Sequence, residues 1–216
     1  DYQTEYGEGE NGVRPTTPNP TSGEWSFEEK FAPGMTQVLF DNLTVPYEYQ
    51  GKRIGKFYRH GQNVANTVAF ETGGDKGGMR LSLNNTDNKG IMPNNTFNRK
   101  SMNLGFSYNL SEQLTLSGNV NYSREYNKNP PNITNQDNSI PTTLMSLSTS
   151  MPLSVLDANK YNAAGNEYPW SRFTNRTNPY WVLAEQFHNI KRDRIFGNVA
   201  LKYNILPWLS LQGRFG

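Results

Sequence analysis

The stretch Ser101-Met-Asn-Leu-Gly-Phe-Ser-Tyr-Asn-Leu-Ser-Glu-Gln-Leu-Thr-Leu-Ser-Gly-Asn-Val-Asn-Tyr-Ser123 alternates apolar and polar residues almost without a slip. Met102, Leu104, Phe106, Tyr108 and Leu110 fall on one face of an extended chain, and Ser101, Asn103, Gly105, Ser107 and Asn109 fall on the other. After a turn at 111–113 the pattern resumes with Leu114, Leu116, Gly118, Val120 and Tyr122. The spacing predicts a long hairpin with a minimal turn.

Two further hairpins follow the same pattern. Val64, Val68 and Phe70 lead into a glycine-rich turn at 73–78, and Met79, Leu81 and Leu83 lead away, opposite Arg80, Ser82 and Asn84. Ile195, Val199, Leu201 and Tyr203 lead to a turn at 206–208, and Leu209, Leu211 and Phe215 leave it, opposite Ser210, Gln212 and Arg214. With a tail of strand at Tyr2–Tyr6, this makes six to seven antiparallel strands. The segments 7–58, 86–98 and 124–191 are rich in Asn, Pro, Thr and Gly and read as long loops.

Such a chain needs a home for its apolar faces. Mean hydropathy is −0.78 and about a third of the 216 residues are apolar, too few for a large water-shielded core. Aromatics reach 12%, which argues against disorder. The polar face of the opening hairpin carries Ser, Asn, Gly and Thr and no charge, whereas a sheet face turned to water usually carries Lys and Glu to prevent edge pairing and aggregation. Short turns alternating with long loops are the asymmetry of an outer-membrane barrel. The apolar faces are therefore assigned to lipid, with Leu104, Phe106, Leu116, Val120, Val199 and Leu201 as lipid-facing residues. Tyr108, Tyr203, Trp208 and Phe70 beside the turns, and Tyr122 at the far strand end, are expected at the two membrane interfaces. Arg80, Asn84, Asn103, Lys202 and Arg214 face the lumen or a plug. The strand count is below the roughly eight needed to close a barrel, so the chain is expected to be a segment of a larger one.

Several chemistries are disfavoured. The formal charge is +2 with acids and bases interspersed, which implies neither a nucleic-acid stripe nor a polybasic membrane patch. There is no cysteine, no run long enough for a transmembrane helix, and no ligand-spaced cluster around His60 or His188. The glycine-rich turn lacks the Gly-Lys-Ser/Thr ending of a phosphate loop. Glu28, Glu29 and Asp193 read as solvated charge, as does Lys191-Arg192-Asp193-Arg194. No enzyme activity and no cofactor are expected. In the longest loop, Ser139–Ser150 reads as a short helix with an N-cap at Ser139 and Leu144, Leu147 and Met151 at helical spacing, either packing the loop or docking a lid. Tyr161, Tyr168, Trp170, Phe173, Tyr180 and Trp181 either pack a small core of the loops or offer flat faces to a ligand or lid; Tyr168, Trp170, Tyr180 and Trp181 are the candidate contacts.

The stretches YGEGENGVRP (6–15), GGDKGGMRLSLNNTDNKGIMPNN (73–95), LSEQLTLSGNVNYS (110–123) and NPYWVLAEQFHNIKRDRIFGNVALKYNILPWLSLQGRFG (178–216) resemble the barrel of the SusC/RagA family of TonB-linked outer-membrane transporters. The resemblance implies a 22-stranded barrel in the outer membrane of a Gram-negative bacterium, plugged by an N-terminal domain and lidded by a SusD-like lipoprotein, importing oligosaccharides or peptides with energy from TonB. These residues contain no plug, no TonB-contacting segment and no barrel-closing strand, so a structural subunit built on the same barrel, or a soluble β-rich binding module with a sandwich core, remain alternatives.

Overall fold

The computed structural model describes residues 3–17, 24–40, 42–172 and 176–216. The chain divides into two compact units: Gly61–Gly90, Asn95–Asn129 and Asn189–Gly216 form a sheet, and Asp1–His60, Ile91–Asn94 and Pro130–His188 form a second unit from the segments between its strands.

The sheet is a six-stranded antiparallel meander of β3 (Gln62–Gly74), β4 (Gly77–Lys89), β5 (Thr96–Asn109), β6 (Leu114–Lys128), β7 (Asn189–Leu206) and β8 (Leu209–Phe215), in sequence order. It is not closed: among the described residues, β3 and β8 have no partner on their outer edges. The strands run past the apolar alternation. The link between β4 and β5 is only 90–95, not 86–98, and that between β6 and β7 is 129–188. The reason is that pairing continues where side chains turn polar, through bonds such as Asn84 Nδ2 to Thr67 Oγ1 (2.7 Å) and Arg99 to Glu125 (2.5 Å). The expected seventh strand is absent: Tyr6 makes an isolated bridge to Lys30, and Tyr2 lies outside the described residues.

The second unit holds the short ribbon β1 (Thr36–Val38) with β2 (Thr44–Pro46), and four short helices, α1 (Arg53–Phe57), α2 (Ile140–Ser146), α3 (Leu153–Ala158) and α4 (Pro179–Glu185). Its core gathers Leu39, Phe40, Phe57, Leu144, Leu156 and Trp170, with Tyr168 edge-on to Phe40 and Tyr180 edge-on to Phe57, both at 5.2 Å. Asn178 starts α4 by accepting from the Tyr180 amide (2.9 Å), and its own amide donates to the Leu156 carbonyl (2.9 Å), tying α3 to α4. Pro179 supplies the fixed φ of the first turn.

Through this core runs a buried segment, Leu147–Met151, several of whose backbone groups are satisfied by side chains from distant segments. Arg53 donates to the carbonyls of Leu147 (3.0 Å) and Ser148, Gln37 to that of Ser150 (2.7 Å), and the Thr149 amide donates to Ser26 Oγ (2.8 Å). Such pairing is what a buried loop requires, since each orphaned backbone group costs about 1–3 kcal/mol. Nearby, the Tyr47 hydroxyl lies 3.0 and 2.8 Å from the carbonyls of Glu8 and Glu29, and burial pushes it up to about 12.

Candidate functional site: the two faces of the sheet

The register sorts the strand residues into two unlike faces. One face carries the cross-strand row Phe70, Leu81, Leu104, Val120, then Val68, Leu83, Met102, Tyr122, Ile195, and on the other side Met79, Phe106, Gly118, Val199, Phe215. The row Tyr108, Leu116, Leu201 and the row Leu114, Tyr203, Leu211 complete it. All six residues assigned to lipid from the sequence lie on this face. Its apolar side chains are not covered: Phe70 is 58% exposed, Ile195 73% and Leu211 66%. Among the described residues, Ala200 is the single buried apolar residue that the sheet contributes; the others belong to the second unit.

On β5 and β6 the apolar run from Met102 to Leu110 covers about 27 Å along the strand at roughly 3.4 Å per residue. Beyond it the face turns mostly polar. The next rows of the same face are Asn66, Asn85, Lys100, Arg124, Asp193 and then Val64, Asp87, Asn98, Tyr126, Lys191, in which Val64 on β3 is the aliphatic exception.

The turns are staggered. Gly74 pairs with Gly77, on the row of Tyr108, Leu116 and Leu201; the second turn closes beyond it, where the Leu110 amide bonds Leu114 (2.8 Å); the third closes at Leu206 and Leu209. From first to last this is a drift of about four to five residues over about four strand spacings of roughly 4.8 Å. If the turns share one level, the strands tilt by roughly 35–42°, close to the roughly 35–45° of a closed barrel. Tilted so, the apolar run on β5 and β6 is about 21 Å high before side-chain ends are added, against about 25 Å for an outer-membrane belt.

Tyrosines mark both margins. Tyr122, on the last apolar row, donates its hydroxyl to Asp193 Oδ1 (2.6 Å), which also holds Arg124 Nε (2.7 Å). Tyr203, near the opposite margin, reaches Gln113 Oε1 in the turn (3.3 Å). Each ring lies on the apolar face and each hydroxyl bonds a polar group at its edge, the arrangement of an aromatic girdle. Tyr108 shares the row of the first turn, and Trp208 sits in the third turn, 79% exposed. Phe70 differs from expectation: it pairs with Leu81 four residues from its turn, inside the apolar field.

The other face is mostly polar, with Phe97, Ile190 and Phe196 as its large apolar exceptions. Arg80, Asn84, Asn103, Lys202 and Arg214 all lie on it, and Arg80 is paired with Glu71 (2.7 Å). Sequence reading missed its charge cluster, in which Glu125 takes Arg99 (2.5 Å) and Arg192 (3.5 Å) from the strands on either side. The run at 191–194 is no single patch, because alternation sends Lys191 and Asp193 to one face and Arg192 and Arg194 to the other. Only cross-strand register could have revealed either point.

The loop aromatics are corrected in part. Trp170 is 2% exposed with its indole N–H donated to the Arg176 carbonyl (3.1 Å), so it presents no face to a ligand. Tyr168 and Tyr180 pack on the core and Trp181 is half-buried. Tyr161 is exposed and donates to Glu185 Oε1 (2.5 Å), and Phe173 lies outside the described residues. The helix at 139–150 ends earlier, at Ser146; Ser139 precedes it without a side-chain cap bond, and Leu144, Leu147 and Met151 are buried in the unit's own core rather than presented to a lid. Among the described residues no group of His, Asp or Glu is placed to hold a metal, and no helix is long and apolar enough to cross a membrane, which says nothing of strands. The chain matches no protein-family model and no curated protein.

Proposed function

We propose that the sheet is part of the wall of a large outer-membrane β-barrel, and that the chain belongs to a SusC/RagA-like importer taking oligosaccharides or peptides across the outer membrane. The observation that carries the reading is the uncovered apolar field, bounded on both margins by tyrosines whose hydroxyls leave it. A sheet in water must bury its apolar face under a second layer. The buried apolar cluster of the other unit is built from that unit's own residues and includes none of the sheet's, which weighs against a sandwich. Hydrocarbon accepts such a face as it stands, provided further strands pair the open edges, since unpaired backbone in lipid costs several kcal/mol per group.

The importer role rests on the resemblance of the four stretches at 6–15, 73–95, 110–123 and 178–216, together with three tight turns at one end of the sheet and, at the other, the long connection 129–188 beside the short link 90–95. In this reading a SusD-like lipoprotein lids the barrel, TonB acts through a plug outside these residues, the polar face meets plug or cargo, and no catalysis is involved. The test is deletion of the coding region in the native cell, followed by fractionation and growth on an oligosaccharide or peptide as sole source. The importer reading expects the protein in the outer membrane and growth lost on one such source. Growth unchanged on all of them, with outer-membrane architecture disturbed, would point to the structural-subunit role instead.

A further inference from the structure

The margin of the apolar face away from the tight turns holds a groove of about 590 Å³. Its floor is apolar, from Val68, Leu83, Met102 and Tyr122, and its far edge is polar, from Asn66, Asn85 and Lys100. All seven lie on the same face in adjacent rows, so the groove straddles the step from apolar to polar. No polybasic run exists in the sequence, yet pairing gathers Lys89, Lys100, Arg124, Lys128 and Lys191 onto this face just beyond the step, against Asp87 and Asp193. Asp193 is taken by Arg124, and Asp87 accepts from Asn85 and Asn98. Lys100 is exposed and has no ion-pair partner among the described residues. Asn85, on the same edge, is turned to Asp87 through its Nδ2 (2.6 Å), which leaves Lys100 as the free cation beside the groove among the described residues.

We infer that this groove seats a phosphate-bearing lipid, with an acyl chain on the floor and the phosphate at Lys100. The inference rests on the membrane reading above. An acyl chain matches Val68, Leu83 and Met102 without desolvating any polar group, and a phosphate supplies the counter-charge that Lys100 lacks. A soluble anion would gain nothing from the floor, and a zwitterionic lipid would bring its own cation to a face already rich in them.

The test uses the full-length chain purified in detergent and mixed with phosphatidylglycerol or with phosphatidylcholine of the same acyl chains, bound lipid being counted by native mass spectrometry. Retention of phosphatidylglycerol over phosphatidylcholine is expected, weakened about fivefold by Lys100→Ala, more by Lys100→Glu, and kept by Lys100→Arg. Equal retention of both lipids, or indifference to all three substitutions, overturns the inference. Displacement by inorganic phosphate as effective as by the lipid overturns the lipid as occupant. Insertion into phosphatidylcholine vesicles is scored separately by flotation: a protein that floats but shows no headgroup preference removes this inference alone, and one that does not float removes the membrane reading and this with it.

Discussion

The two units solve opposite problems with the same residue types. In the second unit Leu156 is fully buried, Trp170 nearly so, and the polar Ser148, Ser150 and Gln37 are carried into the interior because each closes a hydrogen bond that a buried backbone needs. In the sheet Leu201, Leu211 and Phe215 are left uncovered, while the other face is mostly Asn, Ser, Thr and charged residues, with Phe97, Ile190 and Phe196 as exceptions. Leucine inside and serine bonded inside is the solution for water. Leucine outside on a bounded belt is the solution for lipid, where the apolar residue meets its own kind without any core. In the membrane reading proposed above, the contrast accounts for how a chain of such low mean hydropathy holds together, since only one of its two units would need a core.

Four experiments would break or sharpen this contrast. The largest loss is expected at Leu156→Ala, which opens a cavity among α3, α4 and Trp170 and costs the second unit about 3–5 kcal/mol, read by urea unfolding. Next is Leu116→Arg, within the apolar field and one row in from its turn-side end on β6, at about 2–3 kcal/mol for folding into bilayers; Ser117→Arg, one residue along and on the other face, should cost under about 1 kcal/mol, and equal costs would erase the distinction between the faces.

Gly118→Val comes third. A Cβ there would stand 2.7 Å from the Asn198 carbonyl oxygen and 2.9 Å from Phe106 Cζ, because the Phe106 ring lies over the glycine. Displacing that ring is expected to cost about 1–3 kcal/mol, and Gly118→Val with Phe106→Ala should recover part of it in a double-mutant cycle.

The smallest effect concerns pH. The folded Tyr47 hydroxyl titrates near about 12, above its ordinary 10, so the neutral form is favoured by folding. Its contribution is intact below pH 10 and is lost as pH rises through about 12. Tyr47→Phe should cost about 1 kcal/mol at neutral pH and flatten part of the alkaline fall, the rest belonging to Tyr58 and Tyr180, whose hydroxyls burial also pushes up. Unfolding midpoints of the second unit between pH 9 and 12 check the slope.

How much of this was legible in the sequence differs between the units for the same reason. A strand's faces are set by a local period of two, so Leu104, Val120 and Asn103 could be assigned from their neighbours alone. The second unit is held by contacts across the chain, such as Arg53 with Leu147 and Gln37 with Ser150, which no local pattern announces. Trp170 among Asn and Arg has the composition of a ligand site and the position of a core residue. The basic margin lay hidden for a related reason: Lys100, Arg124 and Lys191 are far apart in sequence and become neighbours only through register.

The central claim is that the apolar face of the sheet meets lipid. These residues contain no cysteine, so single cysteines placed one at a time along 100–124 can each carry a spin label, and collision with oxygen dissolved in the bilayer can be compared with collision with a water-soluble nickel chelate. The account predicts a period of two: oxygen access at Met102, Leu104, Phe106, Leu116 and Val120, and little at Asn103, Gly105, Ser117 and Asn119, with the oscillation fading at Lys100 and Arg124. A period of two in which the apolar positions are shielded from both probes would place that face in a protein core and contradict the account.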